Sequence, residues 1–213
     1  MLIPFDQVFD HLEKKGIKIT GILHIGAHMC EELDDYEREG ITDIEWVEAN
    51  PELAKRMCDR GIFVHNAAIS DTEAELPFYV TNNGQSSSLL EFGTHAASYP
   101  WCKVTSTITV HTETLENLIV SRKIAMAHRN FWNLDIQGAE LRALKSAGEF
   151  LRHADAIYAE VNTQEVYKGC GLLHELDAFL GAAGFERQMI SMTGAGWGDA
   201  LYVRSAAASR ISG

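Results

Sequence analysis

Apolar and polar positions in this 213-residue chain follow two alternating rhythms. Short apolar runs closed by Gly or a polar residue read as buried strands. Between them, apolar residues return every three or four positions, as on one face of a helix. Phe5, Val8, Phe9 and Leu12 share such a face and predict a helix over residues 4–15. A run over 19–25, closed by Gly26, predicts the first strand, with a helix over 30–38 after it. A strand over 44–48 and a helix over 51–60 follow, with Asn50 placed to cap that helix and Pro51 at its first position. Residues 62–69 predict a third strand.

The rhythm weakens in the middle of the chain. Residues 76–80 and 105–112 read as strands, flanking a stretch over 85–100 with little periodicity that reads as a loop. A helix over 115–121, a strand over 130–136 and a helix over 138–147 restore the alternation. A strand over 156–161, a helix over 172–183 ended by Gly184, and strands over 185–191 and 200–204 complete it. Repeated strand–helix units imply an α/β fold: a mostly parallel central sheet with helices on both faces. The expected organisation is one domain over 1–204, opened by a helical segment over 1–18, and a small polar tail over 205–213 that reads as flexible.

Composition narrows the function classes. The formal charge is 18 − 30 = −12, and the basic clusters, Lys14-Lys15 and Arg122-Lys123, are small. Nucleic-acid binding needs a basic face that displaces counterions, so none is expected. No apolar run approaches the ~20 residues that span a bilayer, so no membrane partner is expected. The N-terminus lacks the basic start and apolar stretch of a secretion signal. Cys30, Cys58, Cys102 and Cys170 lie far apart without a CxxC pair. They read as reduced thiols in a cytoplasmic protein rather than a zinc cage or a redox dithiol.

In parallel sheets, ligands bind beyond the carboxyl ends of the strands, so the candidate chemistry lies there. The turn after the first strand carries Gly26, Ala27 and His28, and should aim backbone N–H groups at a ligand from a helix N-terminus. Glu48 ends the second strand, where an acid accepts hydrogen bonds from a ribose diol. A dinucleotide fingerprint wants three glycines and this turn has one, which favours a cofactor without pyrophosphate. At the end of the third strand, the small residues Ala67 and Ala68 leave room for an adenine, with Asn66 or Asp71 available to its amine. Asp135 and Glu160 end neighbouring strands. Such a pair serves as a general base for a hydroxyl, or, with Asn162, as ligands for a divalent cation such as Mg or Mn. Tyr99, Trp101 and Trp197 fall in loops and suit stacking on a sugar or an aromatic acceptor.

The ordered set LHIGAH (Leu23 to His28), WVEANPELA (Trp46 to Ala54), NAAISD (Asn66 to Asp71), the stretch Glu75 to Glu91, LDIQGAELRALK (Leu134 to Lys145), YAEVN (Tyr158 to Asn162) and GDALYV (Gly198 to Val203) resembles the FkbM family of S-adenosylmethionine-dependent O-methyltransferases. The resemblance implies a class I methyltransferase, Rossmann-like fold and methyl transfer to a hydroxyl, usually of a sugar. A 6-deoxyhexose such as rhamnose is the expected acceptor, in a glycan or glycosylated product. Carried over by position, Gly26, Ala27 and His28 would line the methionine part of S-adenosyl-L-methionine. Glu48 and Ala49 would meet the ribose, and Asn66, Ala67 and Ala68 the adenine. Asp135 and Gln137 would stand beside the methyl, and Ser87 in a loop over the site. The family often carries Glu where Gln137 stands. Two other readings stay open at this point: a nicotinamide-dependent oxidoreductase, and a non-catalytic module that binds adenosyl ligands.

Overall fold

The structure is a computed structural model, and residues 2–205 are described; most of the expected tail, residues 206–213, lies outside them. Its frame is a seven-stranded sheet of β1 (Ile22–Ile25), β2 (Ile44–Glu48), β3 (Val64–Asn66), β7 (Phe131–Leu134), β8 (Ala156–Asn162), β9 (Phe185–Met192) and β10 (Trp197–Arg204). The order is β3-β2-β1-β7-β8-β10-β9. Neighbours from β3 to β8 pair in parallel, whereas β10 runs antiparallel between β8 and β9.

Alternation along the strands sorts the core into two layers. Leu23, Ile25, Trp132, Leu134, Ile157 and Ala159 face the layer shared with α5 (Leu115–Arg122), α6 (Glu140–Lys145) and α7 (Leu173–Ala182). Ile22, Trp46, Phe131, Tyr158 and Leu201 face the layer shared with α1 (Phe5–Lys14), α2 (Leu33–Arg38) and α3 (Pro51–Asp59). The stripe of α1 packs as expected: Phe5 sits 5.1 Å from Tyr36 and 5.2 Å from Tyr158, ring centre to ring centre. Asn50 caps α3 by accepting the Glu52 N–H at 3.0 Å, with Pro51 at the first position.

Two expectations are corrected. The third strand is not continuous over 62–69. It breaks at Ala67 into β3 and β4 (Ala68–Ile69), and β4 leaves the main sheet. There it joins β5 (Ala74–Thr81) and β6 (Val104–Glu113) in a second sheet, ordered β4-β6-β5. The Ala67 N–H bonds the Glu48 carbonyl at 3.0 Å and the Ser70 N–H bonds the Glu113 carbonyl at 3.0 Å, so the backbone changes partners within four residues. The stretch over 85–100 is also more ordered than a loop, with a short helix α4 (His95–Ser98) anchored through backbone bonds to Glu165 and Val166.

Candidate active site

The carboxyl ends of β1, β2, β7 and β8 open into a cavity of about 400 Å³. On one side lie Gly26, His28, Glu48, Ala49 and Ala67; on the other lie Asp135, Gln137, Glu160 and Asp199, with Ser87 in the covering segment.

Gly26 is required by its neighbours. Its φ is 95°, and a Cβ would stand 1.9 Å from the Asp135 carbonyl oxygen. The close approach of β1 to the turn after β7 therefore demands glycine. The N–H groups of the turn are not free, which corrects the expectation of a helix N-terminus facing the ligand. Those of Gly26 and Ala27 both donate to the Val47 carbonyl at 2.9 Å, and that of Cys30 to Ala27 at 2.7 Å. His28 N–H donates to Glu48 Oε2 at 2.8 Å and Met29 N–H to Glu31 Oε2 at 3.0 Å. The helix expected from residue 30 begins only at Leu33.

Glu48 is nearly buried. Its second oxygen accepts the Asn50 N–H at 2.7 Å, so both oxygens are aimed by backbone donors and each keeps acceptor capacity. Burial still pushes its carboxyl above the usual range, against the hydrogen bonds from Asn50 and His28. His28 bonds Glu31 through Nδ1 at 2.6 Å. Burial works against its charge, but the Glu31 hydrogen bond and the charges of Glu31, Glu48 and Glu32 raise it above the ordinary histidine value.

The expected adenine wall is only partly assembled: Ala67 lines the cavity, whereas Asn66 and Ala68 do not. Ala49, expected at the ribose, lines it too, whereas Ala27, expected at the methionine part, does not. Asn66 turns away because its amide donates to the carbonyls of Glu48 at 2.9 Å and Ala49 at 3.3 Å. Asp71 is exposed and, among the described residues, accepts only from Ser70, at 3.3 Å. Ala27 and Ala68 point into the core.

On the opposite side acids are crowded together: Glu160 and Asp199 are buried in the wall, Asp135 is half-buried there, and Glu140 is buried behind it. Desolvation and the charge of Asp199 hold Asp135 at about 6, against the Gln137 hydrogen bond. Desolvation also pushes Glu140 up to about 7, and raises Glu160 well above the usual range with help from Asp135, Glu140 and Asp199. Glu140 accepts the N–H groups of Ile136 at 2.9 Å and Gly138 at 3.1 Å, fixing the turn after β7. Gln137 Nε2 donates to Asp135 Oδ1 at 2.5 Å and to Glu160 Oε2 at 2.8 Å. Glu160 Oε1 is buried and has no partner among the described residues.

Sequence reasoning missed Asp199 and Tyr167. The β8–β10 register sets Asp199 opposite Glu160, and Asp199 accepts the Tyr158 hydroxyl at 2.8 Å and the Leu2 N–H. Tyr167 donates its hydroxyl to Gln137 Oε1. The cation site sketched from Asp135, Glu160 and Asn162 does not fit. An amide N–H of Gln137 occupies the space between the two carboxylates, and Asn162 is fully buried outside the cavity lining. Among the described residues no group of three or more His, Cys, Asp or Glu is arranged to hold a metal.

Beyond the acids the cavity meets Tyr99, Trp101 and Trp197. Trp197, which opens β10 rather than lying in a loop, donates its indole N–H to the Tyr99 hydroxyl at 2.8 Å. Trp101 stands edge-on to Tyr99 at 6.2 Å and is 61% exposed.

The sheet order, five parallel strands followed by an antiparallel hairpin with β10 inserted, defines a class I methyltransferase-like α/β fold. Residues 24–187 match the methyltransferase FkbM domain; the chain belongs to this family and is an S-adenosylmethionine-dependent methyltransferase. The nicotinamide-oxidoreductase reading is thereby overturned, as is that of a non-catalytic module. Among solved structures the chain is similar to magnesium protoporphyrin IX methyltransferase from Synechocystis PCC 6803, solved with bound S-adenosylmethionine. The two are 10% identical, covering 94% of this chain and 77% of that one, with a TM-score of 0.49. It is also similar to the human methyltransferase 10 domain containing protein: 12% identity, 95% of this chain, 81% of that one, TM-score 0.46. No curated protein matches the chain. Among the described residues no helix is long and apolar enough to cross a membrane.

Proposed function

We propose that this enzyme transfers the methyl group to a hydroxyl oxygen of a saccharide, with a 6-deoxyhexose such as rhamnose as the acceptor unit. The observation that carries the reading is one cavity lined by the acids Asp135 and Glu160 and by the aromatic residues Tyr99, Trp101 and Trp197. A sugar ring has apolar C–H faces that pack on aromatic rings and a hydroxyl edge that needs acceptors. The methyl of a deoxyhexose adds apolar surface to the same face.

S-adenosyl-L-methionine, when bound, supplies an electrophilic methyl on a positively charged sulfur. In this reading Glu48 accepts the ribose hydroxyls, Ala49 and Ala67 leave room for the adenine, and Gly26 and His28 border the methionine part. A hydroxyl is a poor nucleophile while protonated, so a nearby base must take its proton as the C–O bond forms. Asp135, held near neutral titration, is that base. Glu160 stands beside it and shares the Gln137 amide with Asp135. The remaining contribution is positional: the oxygen must lie in line with the departing sulfur.

The test is transfer of labelled methyl from the cofactor to a panel of glycans, with a no-acceptor blank, followed by location of the methyl. An O-methyl group on a deoxyhexose is expected. Transfer to nitrogen or carbon, or no saccharide accepting above the blank, contradicts the reading.

A further inference from the structure

Gln137 sits where few side chains settle. Its φ is 57°, in the left-handed region that costs most residues energy, and Gly138 follows at 100°. From this position one amide meets groups from three parts of the chain. Nε2 donates to Asp135 at the end of β7 and to Glu160 on β8, while Oε1 accepts from Tyr167 in the segment between β8 and α7. Its backbone carbonyl accepts the Ser88 hydroxyl at 2.8 Å. Tyr167 is fully buried, beside Leu90, Val166 and Cys170, so its hydroxyl is fixed. The amide cannot flip without setting a carbonyl against two carboxylates and an NH₂ against the hydroxyl hydrogen.

We infer that Gln137 is a positioning residue: held by Tyr167, it fixes one oxygen of each carboxylate and so leaves the second oxygen of Asp135 to the reacting hydroxyl. The inference rests on the proposed assignment of the reaction to Asp135 and Glu160, not on the acceptor being a saccharide. It also gives a reason for Gln rather than Glu here. Asp199 from β10, Glu140 from α6, Glu32 before α2 and the hydroxyls of Tyr158 and Tyr167 already surround the pair, and among the described residues His28 acts on Asp135 in the opposite sense. Among the described residues lining the cavity there is no Lys or Arg. A further carboxylate would add repulsion, whereas an amide supplies two donors without charge.

The test follows the carboxyl groups directly. Protein labelled with ¹³C at the Asp and Glu carboxyls is titrated by NMR from about pH 4 to 9 without cofactor or acceptor. Gln137→Asn keeps a residue at ease with positive φ but is one methylene too short to span both acids. Its Asp135 and Glu160 midpoints should rise by about one pH unit, because a hydrogen bond favouring the charged form is lost. Tyr167→Phe should shift them less, in the same direction. Gln137→Gly, also at ease with positive φ, repeats the measurement should the Asn variant melt early. With any acceptor in hand, kcat in Gln137→Asn should fall about tenfold or more while cofactor Kd and acceptor KM stay within about twofold. Unchanged midpoints in both Gln137 variants overturn the inference. Shifted midpoints with no saccharide accepting methyl sustain it and sink the saccharide reading instead.

Discussion

Glu48 and Glu160 are both glutamates in strands of one sheet, facing one cavity, yet they are held in opposite ways. Glu48 has two backbone N–H donors, one on each oxygen. Among the described residues, Glu160 has a single side-chain amide on one oxygen and nothing on the other. Backbone donors are supplied by the fold whatever the side chains are, so the Glu48 side is prepared in advance. The Glu160 side is prepared by replaceable side chains, Gln137 and Tyr167, and carries the cost of buried, crowded acids. In the proposed reading the cofactor ribose meets the prepared Glu48 side and the acceptor hydroxyl the Glu160 side.

The comparison breaks most severely at the point where the two halves touch. Gly26→Ala drives a methyl into the Asp135 carbonyl at a position of positive φ, and should cost roughly 3–5 kcal/mol or prevent folding. Urea denaturation midpoints measure it. Next, Glu48→Gln sets an NH₂ against one of two backbone N–H donors, and should weaken S-adenosylmethionine binding about tenfold to a hundredfold by calorimetry.

The acid wall makes a prediction of opposite sign. Asp135 is raised to about 6 in the folded chain, so the folded state holds its proton more tightly than the unfolded state does. Its favourable contribution is complete below the unfolded value near 4 and is lost as pH rises through about 6. Asp135→Asn should therefore melt a few degrees higher than the unsubstituted protein at pH 8, with the difference gone at pH 4. Equal melting at pH 8 would show that the site bears no such cost. The smallest effect belongs to the exposed rim: Trp101→Ala should raise the acceptor KM a few-fold to tenfold and leave the melting temperature unchanged.

Legibility in the sequence follows the same division. β2 was readable to the residue because its apolar run is bounded by charged and capping residues, and Glu48 came with it. The break of the third strand at Ala67 was not, since apolar residues stand on both sides of His65 and Asn66 and a change of hydrogen-bond partner leaves no periodic mark. Asp199 escaped because β10 is buried on both faces from Gly198 to Val203, which erases the alternation that shows a strand's extent. Tyr167 lies in a segment without helix or strand, and only the packing of β8 against α7 brings it under Gln137. The turn N–H groups misled for a local reason. The fingerprint assumes that a helix starts at once, but here positive φ at His28 and Cys30 folds the backbone onto its own acceptors first.

The central claim is that Asp135, half-buried in the acid wall, takes the hydroxyl proton during transfer. It is tested most directly by single-turnover methyl transfer with Asp135→Asn across pH 5–9, beside calorimetric cofactor binding. The unsubstituted enzyme should show a rate that rises with pH through about 6 and then levels, as the Asp135 carboxyl ionises. The variant should bind cofactor within about threefold and transfer methyl roughly 10²–10⁴ times more slowly, without that rise. Unchanged transfer by the variant, or the same pH rise in its absence, would contradict the claim.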